Sequence, residues 1–334
     1  LFHGAAGVGK QRLALWFAQL LVCDRAFGEG NATGTVEPCG VCQQCRFARE
    51  LAHPDVLWVF PRPRLKESDA SVDDVRADLA AGAKARLDVN GLYPPPSGSD
   101  GIYVATIRAI VRQASLTPAM ARRKVIIVGD AERMVSQEGA DQAANTFLKL
   151  LEEPPRDTFA ILTSSQPAAL LPTIRSRVVA VRVSNVSDKA VEHWLADEHV
   201  SAALSKAGIP KGESTRVSLA AGAPGRLLSS SRSEKAAEAA RRLLDSLDKR
   251  DQTLNARVAL SQSVAGARGS FTDVLEALTE GLRARMESAA RAGDVARAHR
   301  SAIAIARVEV AKREAYGNLN PQLVTAGLLE DLTG

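Results

Sequence analysis

Apolar positions along this chain follow two rhythms. Up to about Val183, short apolar runs alternate with stretches spaced by three and four residues, whereas beyond Ser187 only the helical spacing remains. The run Lys124 to Val128, β-branched after its first residue, suits a central parallel strand buried on both faces. Val56 to Phe60, Phe159 to Thr163 and Val178 to Val183 read as further strands, and Leu1 to Phe2 as the end of another. Helical spacing is predicted over about Lys10 to Val22, Cys42 to Leu51, Thr106 to Ala114 and Ala140 to Leu151, the last closed by Glu152-Glu153-Pro154-Pro155. Asp188 to Glu198, a stretch near Thr215 to Ala221, and a helix opening at Arg226 follow.

Strands alternating with helices, with charged residues at strand ends, describe an α/β doubly wound parallel sheet whose ligand crevice lies at the C-terminal strand edge. Three parts are predicted: a nucleotide-binding-like α/β domain over 1–183, a small helical domain over 184–230, and an all-α domain over 231–334, rich in Ala, Leu, Arg and Glu. The first carries a cysteine module at 23–45 and a surface insertion at 61–101, where Pro, Gly, Ser, Asp and Arg take over. Helix is expected in that insertion from Val72 to Ala85, and irregular chain at Pro94-Pro95-Pro96 and Ser97-Gly98-Ser99.

The 334 residues are enough for two or three cores, and 46% hydrophobic with 24% charged residues is a globular balance that does not suggest disorder. Aromatics at 4% leave the cores to Ala, Leu and Val, which favours helices over sandwiches. A formal charge of +5 is compatible with a surface near nucleic acid and specific to none. The most apolar stretch, Leu13 to Val22, is too short to span a bilayer and is interrupted by Gln19, and no signal-peptide pattern precedes it; a cytoplasmic protein without a membrane partner is expected. Because the chain starts at Leu1 and runs at once into a motif, some upstream sequence is expected to exist.

That motif is Gly4-Ala5-Ala6-Gly7-Val8-Gly9-Lys10, a G-x-x-x-x-G-K phosphate loop at a strand-to-helix junction. Gly4, Gly7 and Gly9 let backbone amides face phosphate, and Lys10 reaches the terminal phosphates. The next residue, which should offer a hydroxyl to Mg²⁺, is Gln11. Asp130 ends the central strand as a metal-linked carboxylate would, yet Ala131 stands where an activating Glu is needed; Glu132 is one step further, aimed away from the centre if strand geometry persists. ATP bound without turnover is one reading, a tight turn with no ligand is another, and Mg²⁺-dependent hydrolysis lacks its ligands.

All four cysteines, Cys23, Cys39, Cys42 and Cys45, fall in one short segment, the last three as C-x-x-C-x-x-C. Four thiolates satisfy tetrahedral Zn²⁺, here structural because no catalytic acid accompanies them. A disulfide pair is the alternative in an oxidising compartment, and an iron-sulfur cluster a further one.

Taken together, the phosphate loop, the cysteine module behind its helix, Ala144-Asn145-Thr146-Phe147-Leu148-Lys149-Leu150-Leu151-Glu152-Glu153-Pro154-Pro155 and Leu171-Pro172-Thr173-Ile174-Arg175-Ser176-Arg177 resemble the AAA+ clamp-loader family of bacterial DNA polymerase III. The likeness is strongest to its delta-prime branch, with gamma/tau the nearest competitor. It implies an AAA+ domain, a helical lid and an all-α collar, in a hetero-pentamer with gamma/tau and delta subunits that places a sliding clamp on primed DNA. It further implies a stator without independent catalysis, belonging to a DNA-directed DNA polymerase holoenzyme, a nucleotidyltransferase. Ser176-Arg177 matches the family's Ser-Arg-Cys, with Val178 in place of Cys, so Arg177 corresponds to an arginine finger for a neighbour's ATP site. Ser164 and Arg226 match two sensor positions; either can instead be structural, and Arg177 can be an interface arginine paired with a carboxylate. An ATP-hydrolysing motor subunit and a zinc-dependent nucleic-acid-binding module are the alternative functions.

Overall fold

The central strand β3 (Lys124–Val128) is buried along its whole length, and its alternate residues serve two cores. Val125 and Ile127 face one cluster with Ala14, Ala18, Leu21, Trp58 and Phe60, while Ile126 and Val128 face another with Ile107, Ile110, Phe147, Leu162 and Ile174. Lys124 is itself buried because its ammonium caps a helix end, donating to the carbonyls of Gln113 (2.7 Å) and Leu116 (2.6 Å). With β1 (Phe2–His3), β2 (Val56–Val59), β4 (Thr158–Ser164) and β5 (Val181–Arg182), β3 forms one sheet in the order β2-β3-β4-β1-β5, every pair parallel.

The computed structural model describes residues 1–26, 36–65, 70–96, 100–134, 142–207, 209, 212–229, 234–247, 268–316 and 320–333. Ser97-Gly98-Ser99 and the start of the helix expected from Ala140 lie outside that set. The helices of the first part are α1 (Lys10–Val22), α2 (Gln43–Arg49), α3 (Val72–Asp88), α4 (Val104–Ala114), α5 (Gln142–Glu152) and α6 (Pro172–Arg175). Four more, α7 (Asp188–Leu195), α8 (Glu198–Lys206), α9 (Glu213–Ala220) and α10 (Arg226–Ser229), close around Val191, Leu204, Ala220 and Leu227. Among the described residues no helix is long and apolar enough to cross a membrane.

The chain divides into two compact units, one of Leu1–Pro95 with Asp100–Ser230, the other holding Ser231–Gly334. In the second, α11 (Glu234–Leu247), α12 (Arg268–Arg291), α13 (Val295–Tyr316) and α14 (Pro321–Thr333) pack Leu243, Phe271, Leu275, Val308 and Leu328 into a core of its own.

Three local readings differ from the structure. The strand expected over Val178 to Val183 shortens to two residues, because it is an edge strand paired only with β1 and Val179 stands 83% exposed. The helix expected from Asp188 to Glu198 breaks in two, since Asp197 acts as an N-cap and accepts from the amides of His199 (2.8 Å) and Val200 (3.2 Å). In the insertion, α3 runs three residues past Ala85, and Gly82 lies so close to Phe60 that a Cβ there would sit 2.9 Å from its ring; one face of this helix belongs to the core.

Candidate functional site

The phosphate loop follows β1 directly and ends at Gly9, whose left-handed conformation starts α1. Gly4 and Gly7 are dictated by close approach. A Cβ on Gly4 would lie 2.2 Å from the Val183 carbonyl, and one on Gly7 would lie 2.5 Å from the amide nitrogen of Arg226. The second contact joins the loop to the helical segment beyond it: the Gly225 amide donates to the Gly7 carbonyl at 2.9 Å. Arg226 therefore does reach the loop, with its backbone and Cγ against Gly7.

An ammonium has three donors, and those of Lys10 meet the carbonyls of Gly4 (3.1 Å) and Ala5 (2.8 Å) and the hydroxyl of Ser165 (2.9 Å). Its pKa is pushed down by burial, against the opposing pull of Asp130 and Glu132. The expected sensor Ser164 is buried at the end of β4; its hydroxyl accepts from the Gln166 amide (3.0 Å) and also acts on the Glu132 carboxylate, whose pKa it lowers. Its neighbour Ser165 is the residue that meets Lys10, and two adjacent serines at a strand end left that choice unmarked in the sequence.

Gln11 occupies the position from which a hydroxyl would reach a metal, and its amide Nε2 donates to Asp130 Oδ2 at 2.9 Å. The carboxylate that should hold Mg²⁺ through a Ser or Thr is thus satisfied by the protein itself. Gln11 Oε1 is buried with no hydrogen-bond partner. Turning the amide over would set oxygen against the carboxylate, so Nε2 is held toward Asp130.

The strand geometry that would aim Glu132 away does not persist. Asp130 is left-handed (φ 50°) and Ala131–Arg133 form a 3₁₀ turn, which swings the Glu132 carboxylate back to accept from the Ser165 amide at 2.9 Å. Burial raises the pKa of Glu132, and the charge of Asp130 raises it further. Asp130 is raised as well, by burial, although Arg133, Lys10 and Arg86 oppose the shift. The site holds the expected Gly4, Gly7, Gly9, Lys10, Asp130 and Ser164 together, joined by Gln11, Glu132 and Ser165.

Arg86 enters from the insertion. Its guanidinium carbon lies 3.4 Å from the ring centre of Phe60, 4.2 Å from that of Tyr93 and 4.8 Å from that of Trp58. Its Nη1 is buried without a hydrogen-bond partner, and burial lowers its pKa. Tyr93 packs on the sheet core while its neighbour Leu92 packs on the core of α7–α10, so the insertion bridges both layers of this unit. No pattern in the Pro- and Gly-rich insertion marked Arg86.

The four cysteines do converge. Their Sγ atoms all lie within 4.8 Å of one another, with Cys39 to Cys45 and Cys42 to Cys23 both at 4.0 Å. A tetrahedron of thiolates about Zn²⁺ has edges of about 3.8 Å, so the cluster fits such an ion. The local chain builds it: Gly40 makes the left-handed turn, and Cys42 is the N-cap of α2, its sulfur accepting from the Cys45 amide (3.4 Å). The amides of Cys39 and Cys42 donate to Cys23 Sγ (3.3 Å) and Cys39 Sγ (3.4 Å). Burial opposes ionisation of Cys39, but the amides of Val41 and Cys42 and the thiols of Cys42 and Cys23 bring its pKa down to about 6; Cys45 is pushed up by burial.

The module is tied to the sheet by a polar network. Gln19 Nε2 donates to the Cys45 carbonyl (3.2 Å), and Gln44 bonds both His53 (2.8 Å) and the Met120 carbonyl (3.2 Å). Buried Asp55 accepts from the amides of Ala119 (2.6 Å), Met120 (2.8 Å) and Ala121 (2.8 Å), which holds its pKa below the usual carboxylate range against the effect of burial.

Arg177 lies apart from the phosphate-loop contacts, exposed just past α6. Its Nη2 pairs with Glu152 Oε1 at 2.8 Å and its Nη1 donates to the Thr173 carbonyl at 3.0 Å.

A parallel sheet whose first strand feeds a glycine loop and a helix, with an acid just past the end of the central strand two places away, defines a phosphate-loop protein, here with that acid hydrogen-bonded to Gln11. A family model described as "DNA polymerase III, delta subunit" matches residues 1–187, and four curated relatives carry the name DNA polymerase III subunit delta'; the chain belongs to the DNA polymerase III delta-prime family. The relative from Pseudomonas aeruginosa is 33% identical over 196 residues, 59% of this chain and 46% of its own length. That from Bacillus subtilis is 28% identical over 208 residues, 62% of this chain and 48% of its own length. A gamma/tau subunit from Mycobacterium tuberculosis is 29% identical over 177 residues, 53% of this chain and 22% of its own length. The chain spans about half the length of the delta-prime relatives it matches.

Proposed function

We propose that this chain acts as a stator subunit of a bacterial clamp loader, a scaffold that helps place the sliding clamp on primed DNA without consuming ATP itself. The bond from Gln11 to Asp130 carries the reading, because it separates a stator from a motor subunit. A motor needs that carboxylate for Mg²⁺, and here an amide of the same chain holds it. The three contacts of Lys10 and the Gly225 to Gly7 bond support the same view: the loop is stabilised by internal partners where a nucleotide would otherwise stabilise it.

In this role the exposed Arg177 is offered to the ATP site of an adjacent subunit, where a guanidinium neutralises charge developing on the transferred phosphate. Partners are the gamma/tau and delta subunits of the holoenzyme, with clamp and DNA reached through the assembly. Cys23, Cys39, Cys42 and Cys45 would hold Zn²⁺, whose contribution is to cross-link α1 to α2 and so stabilise the module. The helices α7–α10 serve as the lid, and the separate unit of α11–α14 as the collar contact.

The test is reconstitution. Purified with its partner subunits, the chain should enter a loader whose DNA-stimulated ATPase falls on Arg177→Ala with assembly intact, while the chain alone shows no Mg²⁺-dependent turnover. Vigorous turnover by the isolated chain, abolished by Lys10→Ala, would establish the motor reading. Steeply salt-dependent DNA affinity of the chain alone would favour a nucleic-acid-binding module.

A further inference from the structure

Resting on the reading of Arg177 as a finger, we propose that Glu152 is its positioning residue, a carboxylate that holds the guanidinium ready for a neighbour's phosphate. Glu152 is the last residue of α5, where the unsatisfied carbonyls of a helix end disfavour a negative charge. A carboxylate at such a place needs a cation, and Arg177 supplies it at 2.8 Å. The two residues come from different elements, and those elements are locked together: Phe147 and Leu150 of α5 and Ile174 of α6 share one buried cluster. The backbone at Arg177 is tied down as well, its amide donating to the Ile174 carbonyl at 3.1 Å.

A guanidinium carries five N–H groups. Nη1 donates to the Thr173 carbonyl (3.0 Å) and the Ser176 hydroxyl (3.4 Å), and Nη2 is ion-paired with Glu152 (2.8 Å). The Nε–H takes no part in these contacts and, beside Nη2, can offer a forked contact to a phosphate. With the Arg177 and Glu152 side chains 36% and 46% exposed, the pair is open to an incoming partner. A long, rotamer-rich side chain is therefore held in one orientation before any partner arrives, so that ordering it costs less when the neighbour's ATP site forms. Glu152 touches no reacting atom in this scheme; it acts through Arg177.

The experiment is kinetic and uses the complete loader assembled with wild-type chain, Glu152→Gln, Arg177→Ala or the double variant, with ATP and primed DNA as probes. Arg177→Ala should lower kcat by at least about tenfold. Glu152→Gln should lower kcat about two- to fivefold, the range an exposed ion pair of up to about 1 kcal/mol supports, with KM for ATP and the melting temperature unchanged. In the Arg177→Ala background Glu152→Gln should have no further effect, and Glu152→Asp should recover part of the loss. The inference is overturned if Arg177→Ala slows the loader while Glu152→Gln leaves kcat unchanged, raises it, or slows the Arg177→Ala loader by the same factor. If Arg177→Ala has no effect, the finger reading falls and the positioning role with it.

Discussion

Replacing Gln11 with Thr tests whether the phosphate loop is closed by its own side chains. The variant removes the amide that donates to Asp130 at 2.9 Å and restores the hydroxyl that a metal would use. Leaving a buried carboxyl oxygen without its donor costs about 1–3 kcal/mol, and Asp130 loses the amide of Gln11. Without nucleotide, Gln11→Thr should therefore cost about 2 kcal/mol, which for a unit of this size lowers the melting temperature by roughly 4–8 °C. Mg²⁺-ATP at about a hundred times its dissociation constant returns about 2.7 kcal/mol, so the variant should recover its stability on addition of both, while the wild type should not respond. Thermal unfolding followed by circular dichroism, with and without Mg²⁺-ATP, reads both effects. Equal stabilisation of wild type and variant by Mg²⁺-ATP, or a variant as stable as wild type without it, would refute the reasoning.

Three further outcomes follow from the same contacts. Asp55→Asn keeps the shape but has one carbonyl oxygen for three amides, and should cost about 3 kcal/mol in urea unfolding at neutral pH. Because the Asp55 pKa is depressed on folding, its stabilisation is complete above the ordinary carboxylate value of about 3.9 and is lost as pH falls through the folded value; the gap between wild type and variant should close below about pH 4 and not before. Arg86→Ala empties the space among Trp58, Phe60 and Tyr93 and should cost about 2–4 kcal/mol, whereas Arg86→Met, which fills the cage and removes the unpartnered Nη1, should cost less than about 1.5. Cys42→Ser should abolish stoichiometric zinc in elemental analysis and expose the module to proteolysis, and chelation of wild type should do the same; full zinc content in the variant would assign the metal elsewhere.

Much of the architecture could be read from residue order alone. The β-branched run at Lys124–Val128 and the three-and-four spacing over Lys10–Val22 carry a strong local period, and both elements fall at those residues. The C-x-x-C-x-x-C spacing brings three sulfurs together because Cys42 caps the helix that carries Cys45, a local constraint, whereas Cys23 joins them only because the end of α1 is folded beside that turn. Weak periods were decided by surroundings. β5 is short because it has one neighbour, and α3 extends because Phe60 and Tyr93 give its buried face something to cover.

The chemistry divides in the same way. That Gln11 replaces a hydroxyl and Ala131 an acid is a statement about residue identity, legible from the chain. That Gln11 turns to Asp130, that Glu132 swings back through a left-handed residue, that Ser165 and not Ser164 meets Lys10, and that Glu152 pairs with Arg177 are decided by where separate strands and helices end beside one another. Local propensity and spacing act over a few residues and survive in any context, whereas a hydrogen bond between residues 119 positions apart exists only once the sheet has set its strands side by side.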